Sequence, residues 1–176
     1  MERPLKIVIS GPVGAGKTTF VSTISETPVV STDEVASEDI GKKHTTVAMD
    51  FGMITVEGIP VHLFGTPGQE RFDFMWEVLS DGALGLLLLL AGDRPRDFVR
   101  ARLIMDTITS RVDIPFLIGV THTDTPGAWG TEDVADFFHV DSQCVVAVDP
   151  RSLEECLLTL IRLLEHVLEH DEVEAA

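Results

Sequence analysis

The sequence predicts an α/β fold: a doubly wound sheet of six mostly parallel strands, with one antiparallel hairpin at its edge. Short apolar runs alternate with longer segments of helical periodicity along the 176 residues, as strand–helix–strand units require. The antiparallel exception is predicted where two apolar runs flank Glu57-Gly58, a hairpin turn signal. The length suits one hydrophobic core, so we expect residues 1–176 to form a single domain.

The elements are predicted from local pattern, in chain order. The first strand is rich in β-branched residues, and a helix begins directly after a glycine-rich segment. Residues 27–43 are polar and predict a long loop, which in a compact domain usually has a function. The predicted strands are 5–10, 45–56, 59–64, 83–91, 115–120 and 144–148, and the predicted helices are 69–79, 95–110, 131–138, 152–170 and one that begins at 18.

Two segments indicate where the core lies. Residues 83–91 are strongly apolar but far too short to cross a bilayer, which predicts a central buried strand. In the last helix, leucines recur at steps of three and four residues, which predicts that this stripe packs into the core. The stripe consists of Leu153, Leu157, Leu160, Leu164 and Leu168.

The glycine-rich segment is a complete phosphate-binding loop. Residues 11–18 read Gly-Pro-Val-Gly-Ala-Gly-Lys-Thr, which matches G-x-x-x-x-G-K-[ST] between a strand and a helix, the context of a P-loop NTPase. Its glycines let successive N–H groups point at one anion beside a helix N-terminus. Lys17 can reach the β and γ phosphates, where it is a candidate catalytic residue, and the Thr18 hydroxyl can bind Mg²⁺. The residues of this segment expected to contact a nucleotide are Gly11, Val13, Gly14, Ala15, Gly16, Lys17, Thr18 and Thr19.

Charge and composition exclude several classes of partner. A net charge of −16 opposes binding to nucleic acid or to an anionic lipid surface. Cys144 and Cys156 lie in or beside apolar runs, which is typical of reduced core thiols in a cytoplasmic protein. Glu2 stands where myristoylation needs glycine, and no cysteine near the C-terminus suits prenylation, so we expect no membrane anchor.

Two further segments carry a resemblance to a known family. Residues 67–72, Pro-Gly-Gln-Glu-Arg-Phe, follow a predicted strand and resemble the switch II segment of small GTPases of the Ras/Arf superfamily. Residues 45–52, Thr-Thr-Val-Ala-Met-Asp-Phe-Gly, resemble switch I and the next strand in a bacterial branch often encoded beside roadblock-type proteins. The resemblance covers nearly the whole chain. It implies a molecular switch that binds GTP or GDP with Mg²⁺ and hydrolyses GTP slowly.

The resemblance also implies roles for single residues. Gly68 would donate its backbone N–H to the γ-phosphate, and Gln69 would orient the attacking water. Thr46 would bind Mg²⁺ and sense the γ-phosphate; Thr45 is the alternative, and Thr46 is favoured because it directly precedes the strand. Val13 occupies the loop position whose side chain faces the γ-phosphate in this family. A branched side chain there should crowd the attacking water, so we expect turnover well below the usual range of about 1 to 1,000 per second.

The chain departs from the family at the magnesium site. Gly65 stands where the family has an aspartate that supports Mg²⁺. A hairpin turning through residues 57–60 would place Asp50 opposite Pro67, and a tighter turn at Glu57-Gly58 would place it opposite Gly65. In either register we expect Asp50 to hold a Mg²⁺-bound water from the neighbouring strand. The alternative is an aspartate that faces solvent on an edge strand.

A second departure concerns the base. Residues 121–124, Thr-His-Thr-Asp, replace the Asn-Lys-x-Asp that reads guanine in the family. Asp124 keeps the carboxylate that accepts from guanine, the His122 ring can stack in place of the lysine stem, and Thr121 takes the first position. The closing segment of the base pocket is expected at Asp149, Pro150 and Arg151, although a proline there cannot donate an N–H to the guanine oxygen.

Two alternatives stay open at this point. A P-loop ATPase or small-molecule kinase is favoured by residues 86–93, an apolar strand that reaches Asp93 as a Walker B strand would. Nucleotide binding without hydrolysis is favoured by Val13 and Gly65. Four nearby arginines do not form a lid pattern and are interpreted as the polar face of a helix: Arg94, Arg96, Arg100 and Arg102.

An apolar cluster follows the switch II glutamine. It contains more aromatic surface than one helix face can bury, so part of it is a candidate protein interface. The resemblance implies a roadblock-type partner at this surface, whereas inward packing of three of the side chains is the alternative. The cluster consists of Phe72, Phe74, Met75 and Trp76.

Overall fold

The computed structural model describes residues 3–32, 35–36, 45–46, 49–66 and 81–176. Four helices lie in this part of the chain: α1 (Lys17–Ile24), α2 (Phe98–Arg111), α3 (Thr131–Phe138) and α4 (Leu153–Ala175). The strands are β1 (Leu5–Ser10), β2 (Val30–Thr32), β3 (Val35–Ala36), β4 (Thr45–Thr46), β5 (Met49–Val56), β6 (Ile59–Gly65), β7 (Gly85–Ala91), β8 (Phe116–Thr121) and β9 (Val145–Ala147). Short 3₁₀ turns occupy Pro95–Asp97 and Ser142–Cys144.

Seven of these strands form one twisted sheet in the order β2-β5-β6-β1-β7-β8-β9. Strands β6, β1, β7, β8 and β9 run parallel, whereas β5 is antiparallel to β6 and β2 is antiparallel to β5. The predicted α/β class with a mostly parallel doubly wound sheet is therefore confirmed. Strands β3 and β4 pair with each other in a separate two-stranded ladder.

The seventh strand is an addition to the six that the sequence predicts. Val30–Thr32 lies within the segment interpreted as a loop and pairs with Phe51, Asp50 and Met49 of β5. Without it, the eight-residue strand β5 would expose a long unpaired edge. β2 shortens this edge by pairing with the first three residues of β5, and the predicted strand over 45–56 divides into β4 and β5.

The core lies on both faces of the sheet, and the central strand β7 contributes side chains to each face. All seven of its residues are buried, as expected for a strand between β1 and β8 with helices on both faces. Successive side chains alternate between the two faces, so Leu86, Leu88 and Leu90 pack with α2 and α3, whereas Leu87 and Leu89 pack with α1 and α4.

The leucine stripe predicted to pack into the core is only partly buried. In α4 the buried face is formed by Cys156, Thr159, Leu160, Leu163 and Val167. The ends of the predicted stripe are exposed, since Leu153 has 54% and Leu168 has 64% of its surface accessible. The true stripe repeats at four- and three-residue steps from a cysteine and includes a threonine, which a count of leucines alone misplaces around the helix. None of the helices within the described ranges has the length and apolar character needed to cross a membrane.

The β5–β6 register is the tighter of the two that the sequence left open. Val56 pairs with Ile59, and Glu57 and Gly58 both have positive φ, of 50° and 82°, as a two-residue hairpin turn requires. Asp50 therefore lies opposite Gly65 at the end of β6. The carboxyl ends of the parallel strands meet at this edge of the sheet, where a ligand of such folds binds.

Candidate functional site

The phosphate-binding loop lies between β1 and α1 at the carboxyl edge of the sheet. Gly11 passes so close to β7 that a Cβ there would lie 2.1 Å from the Leu89 carbonyl oxygen. Gly16 has a φ of 100° and precedes the first residue of α1, so the loop closes directly onto the helix N-terminus. A loop of this kind can offer backbone N–H groups to an anion, and the helix behind it offers the positive end of its dipole.

Lys17 is folded into the loop. Its Nζ donates to the carbonyl oxygens of Gly11 at 2.7 Å and Pro12 at 2.8 Å. Burial lowers the pKa of Lys17 from 10.5 to about 8; the Asp50 carboxylate opposes this shift, and the Arg100 guanidinium adds to it. A phosphate group beside the ammonium would favour its charged form.

Asp50 enters the site from the neighbouring strand. It is 9% exposed, and its Oδ2 accepts a 2.5 Å hydrogen bond from the Thr18 hydroxyl. A Cβ at position 65 would lie 3.2 Å from the Asp50 Cβ, so glycine at this position leaves the space that Asp50 occupies. The alternative of an aspartate facing solvent on an edge strand is wrong.

A cavity of about 760 Å³ extends from the phosphate loop to the ends of β8 and β9, a volume typical of small-ligand sites. It joins the first turn of α1 to the two segments expected to read a base. Its walls are formed by Gly14, Gly16, Lys17, Thr18, Thr19, His122, Thr123, Asp124, Thr125, Ala147, Val148, Asp149, Pro150, Arg151 and Glu155.

Thr121 links the base side of the cavity to the phosphate loop. It is fully buried, and its hydroxyl donates to the Ala15 carbonyl oxygen at 2.8 Å. The same hydroxyl oxygen lies 2.9 Å from His122 Nδ1, a hydrogen-bond distance. His122 itself has a φ of 56° and projects into the cavity wall.

The closing segment is held by an internal ion pair and a link to α1. Arg151 donates to both carboxylate oxygens of Asp149, at 3.0 and 3.1 Å, and these hydrogen bonds lower the pKa of Asp149. The Pro150 carbonyl oxygen accepts from the Thr23 hydroxyl at 2.6 Å. The Asp149 backbone N–H donates to a Glu155 carboxylate oxygen at 3.0 Å.

The structure brings most of the predicted site residues together. Ten line the cavity, while Gly11, Val13 and Ala15 belong to the same loop and Thr121 lies directly behind it. Thr46 lies in β4, paired with Val35, on a separate ladder from the main sheet. The predicted helix 69–79 and six predicted site or interface residues lie outside the described residues: Gly68, Gln69, Phe72, Phe74, Met75 and Trp76.

Sequence reasoning missed several residues of the site. Thr123, Thr125 and Glu155 line the cavity beside predicted positions, and proximity to Asp124 was the signal available for the two threonines. Asp93, the candidate Walker B aspartate, is exposed and accepts from Thr125 at 3.5 Å, so Asp50 is the carboxylate that contacts Thr18.

The interpretation of the arginines as one polar helix face also needs correction. Arg94 and Arg96 precede α2, and Arg94 donates to the Val13 carbonyl oxygen in the phosphate loop at 3.4 Å. Arg102 is a residue of α2 and donates to the Phe137 carbonyl oxygen at 3.0 Å. The sequence places these side chains near one another along the chain but cannot say that the turn after β7 passes the phosphate loop.

Comparisons with known proteins agree with the chemistry of this cavity. The "uncharacterized protein MJ1339" of Methanocaldococcus jannaschii is 30% identical over 136 residues, which cover 76% of this chain and 79% of that protein. A family described as "conserved hypothetical ATP binding protein" matches residues 27–175. The matched range begins after the phosphate loop, so the loop and the family match are separate indications of nucleotide binding. The chain belongs to this family of conserved ATP-binding proteins.

Proposed function

We propose that this protein is a guanine-nucleotide-binding switch that holds GTP or GDP with Mg²⁺ and hydrolyses GTP slowly. The observation that carries the proposal is a single cavity with the phosphate loop at one end and the Asp124 carboxylate on the wall of the other. A nucleotide spans these two chemistries: its phosphates need N–H groups and a cation, and its base needs a specific hydrogen-bond partner.

The phosphate end suits a triphosphate with Mg²⁺. The Thr18 hydroxyl and the Asp50 carboxylate are in contact with each other, and both offer oxygen atoms, the ligands that Mg²⁺ prefers. Thr18 would bind the ion, and Asp50 would hold a water bound to it; Thr46 is the further candidate ligand. The ion, when bound, would neutralise charge on the β and γ phosphates. Lys17 and the loop N–H groups would hold the phosphates themselves.

The base end favours guanine through Asp124. A carboxylate has two acceptor oxygens, and the N1–H and N2 amino groups of guanine form an adjacent pair of donors. Thr121 holds this segment against the phosphate loop, which fixes the distance between base and phosphates. The His122 ring stands on the cavity wall, where it can stack on the base.

Hydrolysis and switching are proposed from the resemblance to small GTPases. Gln69 would orient the attacking water and Gly68 would contact the γ-phosphate, while Val13 would crowd both and keep the rate low. Residues 31–44 would be drawn in by Thr46 when a γ-phosphate is present. The aromatic cluster after Gln69 would then present a changed surface to a roadblock-type partner.

ATP is the second candidate nucleotide, and two observations favour it. The matched family is described as ATP-binding. Pro150 has no N–H for the guanine oxygen, and the neighbouring Arg151 N–H is already bonded to Asp149 at 3.0 Å. In this case the adenine amino group would donate to Asp124, and the protein would be an ATPase or a small-molecule kinase. A protein that holds nucleotide without turnover is the third candidate, supported by the branched side chain of Val13 within the loop.

A competition titration distinguishes these candidates. Fluorescent GDP bound to the purified chain with Mg²⁺ is displaced by GDP, GTP, ADP or ATP in separate series. We expect guanine nucleotides to compete best, and Lys17→Ala to abolish binding of all four. Asp124→Asn should shift preference toward xanthine nucleotides, because the amide now offers a donor where guanine needs an acceptor. Asp136→Asn, an exposed aspartate on α3 outside the cavity, is the matched control. Equal or tighter binding of ATP by the wild type would overturn the guanine assignment.

A further inference from the structure

Arg94 places a guanidinium group against the back of the phosphate loop. Its Nη1 donates to the Val13 carbonyl oxygen at 3.4 Å. A Cβ added at Gly14 would lie 2.4 Å from the same nitrogen, so the guanidinium packs directly on the backbone there. The contact is therefore made with one peptide unit, the one that joins Val13 to Gly14.

The turn after β7 holds this guanidinium in place. The Arg94 backbone N–H donates to the Ala91 carbonyl oxygen at 3.0 Å, and the Arg94 carbonyl accepts from the Asp97 N–H at 2.9 Å. The Asp97 carboxylate lies 3.1 Å from Arg94 Nε, and both side chains are partly shielded from solvent. One edge of the guanidinium is thus anchored while the other is presented to the loop.

The Val13–Gly14 peptide transmits this charge toward the cavity. No peptide bond among the described residues is cis, so the carbonyl of Val13 and the N–H of Gly14 point in opposite directions. The Val13 carbonyl oxygen accepts the hydrogen bond from Arg94, whereas Gly14 lines the cavity. A charged donor on the carbonyl polarises the peptide and makes its N–H a stronger donor on the other side.

The contact between Arg94 and Val13 matters because the chain is strongly acidic. The chain has a net charge of −16, which opposes the entry of a polyanion. A guanidinium keeps its charge at every physiological pH. Arg94 is ion-paired with Asp97 and adds no net positive charge, so it counters this repulsion only locally, through the polarised N–H of Gly14.

We propose that Arg94 is a positioning residue for nucleotide phosphates, acting through the Val13–Gly14 peptide to strengthen the Gly14 N–H as a phosphate donor. The proposal rests on the nucleotide-binding function proposed above and deepens it. It assigns to the turn after β7 a role in phosphate affinity, separate from that of Lys17 inside the loop.

The test compares two exposed or half-exposed arginines of the same turn. Arg94→Ala and Arg94→Gln remove the charge, and the glutamine keeps a polar side chain in case the alanine variant folds poorly. Arg96→Ala is the matched control, because it removes the same charge two residues away. Arg96 is exposed and belongs to no contact identified within the described residues. The probes are GDP with Mg²⁺ in a binding titration, the Gly14 amide proton shift of the GDP complex, and the melting temperature of the nucleotide-free chain.

We expect both Arg94 variants to bind GDP up to roughly 10-fold more weakly than wild type, because the Gly14 N–H becomes a weaker donor to the phosphate. The Gly14 amide proton should move upfield in the GDP complex, and Arg96→Ala should match wild type in both measurements. Equal GDP affinity in the Arg94 and Arg96 variants, or an unmoved Gly14 amide proton, would overturn the proposal. Loss of affinity that is matched by a lower melting temperature, with an unmoved amide, would overturn it too. Failure of the wild type to bind any nucleotide would instead reject the proposed function.

Discussion

The Thr18 hydroxyl donates a 2.5 Å hydrogen bond to Asp50, which joins the first turn of α1 to the antiparallel strand β5. The contact exists because the tight hairpin sets Asp50 opposite Gly65, whose missing side chain leaves room for the carboxylate. A carboxylate from β5 thus enters the space that an aspartate at position 65 would fill. The two residues define where we expect Mg²⁺ to be held.

Asp50→Asn tests this expectation. If the Asp50 carboxylate holds a Mg²⁺-bound water, the amide should weaken Mg²⁺-dependent nucleotide retention by roughly 10- to 100-fold, as for other groups that support metal ligands. The measurement is the dissociation rate of fluorescent GDP as a function of Mg²⁺ concentration. Retention without Mg²⁺ should change much less, because the phosphate loop remains intact.

Asp50 and Gly65, which lie opposite each other in the β5–β6 hairpin, offer a sharper control for the same prediction. The double variant Asp50→Gly with Gly65→Asp moves the carboxylate across the hairpin to the position that the resembled family uses. We expect it to recover most of the Mg²⁺ dependence that the single variant Asp50→Gly loses. An Asp50→Asn protein with the magnesium dependence of wild type would show that this carboxylate has no part in holding the ion.

The buried ammonium of Lys17 should make stability depend on pH. Its pKa of about 8 lies below the ordinary 10.5, so between these values the unfolded chain binds more protons than the folded one. The free energy of unfolding of the nucleotide-free protein should therefore rise with pH across this window, by about 2 kcal/mol from pH 7.5 to 9.5 for this group. Urea denaturation at the two pH values measures it.

Lys17→Met separates this contribution from other titrating groups. The methionine variant cannot titrate there, so it should be more stable than wild type at pH 7.5 and lose most of that advantage by pH 9.5. An advantage that stays constant over the range would mean that the folded-state pKa of Lys17 is near its ordinary value.

Thr121 should hold the base segment to the phosphate loop. Thr121→Val keeps the shape but removes the hydroxyl that donates to the Ala15 carbonyl oxygen, at a cost of about 1–3 kcal/mol for a buried group left unpaired. We expect a lower melting temperature and faster GDP dissociation. Thr121→Ser keeps the hydroxyl and should remain close to wild type. If both variants release GDP at the wild-type rate, the link does not matter for binding.

The fold was predictable from the sequence because its strands carry strong local signals. The leucine-rich run at 83–91 becomes the buried strand β7, and the alternation of elements gives the parallel order. Strand β2 was not predictable, since Val30–Thr32 forms it only by pairing with β5. The buried face of α4 was misplaced because the sequence pattern counted leucines, while packing selects Cys156 and Val167.

The site was predictable where one motif holds its residues together. The phosphate loop is continuous in sequence, so its members were found directly. Arg94 was missed because its role depends on the turn after β7 passing the loop, and Arg94 lies 81 positions along the chain from its partner Val13. The Asp50–Thr18 contact needed the hairpin register, which the sequence narrowed to two choices and only the backbone pairing decides.

The last prediction concerns the rate of hydrolysis. Val13 is 54% exposed, so Val13→Gly should remove its branched side chain with little effect on the core. If that side chain crowds the attacking water, single-turnover GTP hydrolysis should rise by roughly 10-fold, equivalent to about 1.4 kcal/mol of activation free energy.

Gln69→Leu should lower the rate, because leucine cannot orient a water. Both are measured as phosphate release from a preloaded GTP complex, with GDP affinity as the control for intact binding. A Gln69→Leu protein that hydrolyses GTP at the wild-type rate, alone and with a candidate partner, would remove Gln69 from the mechanism.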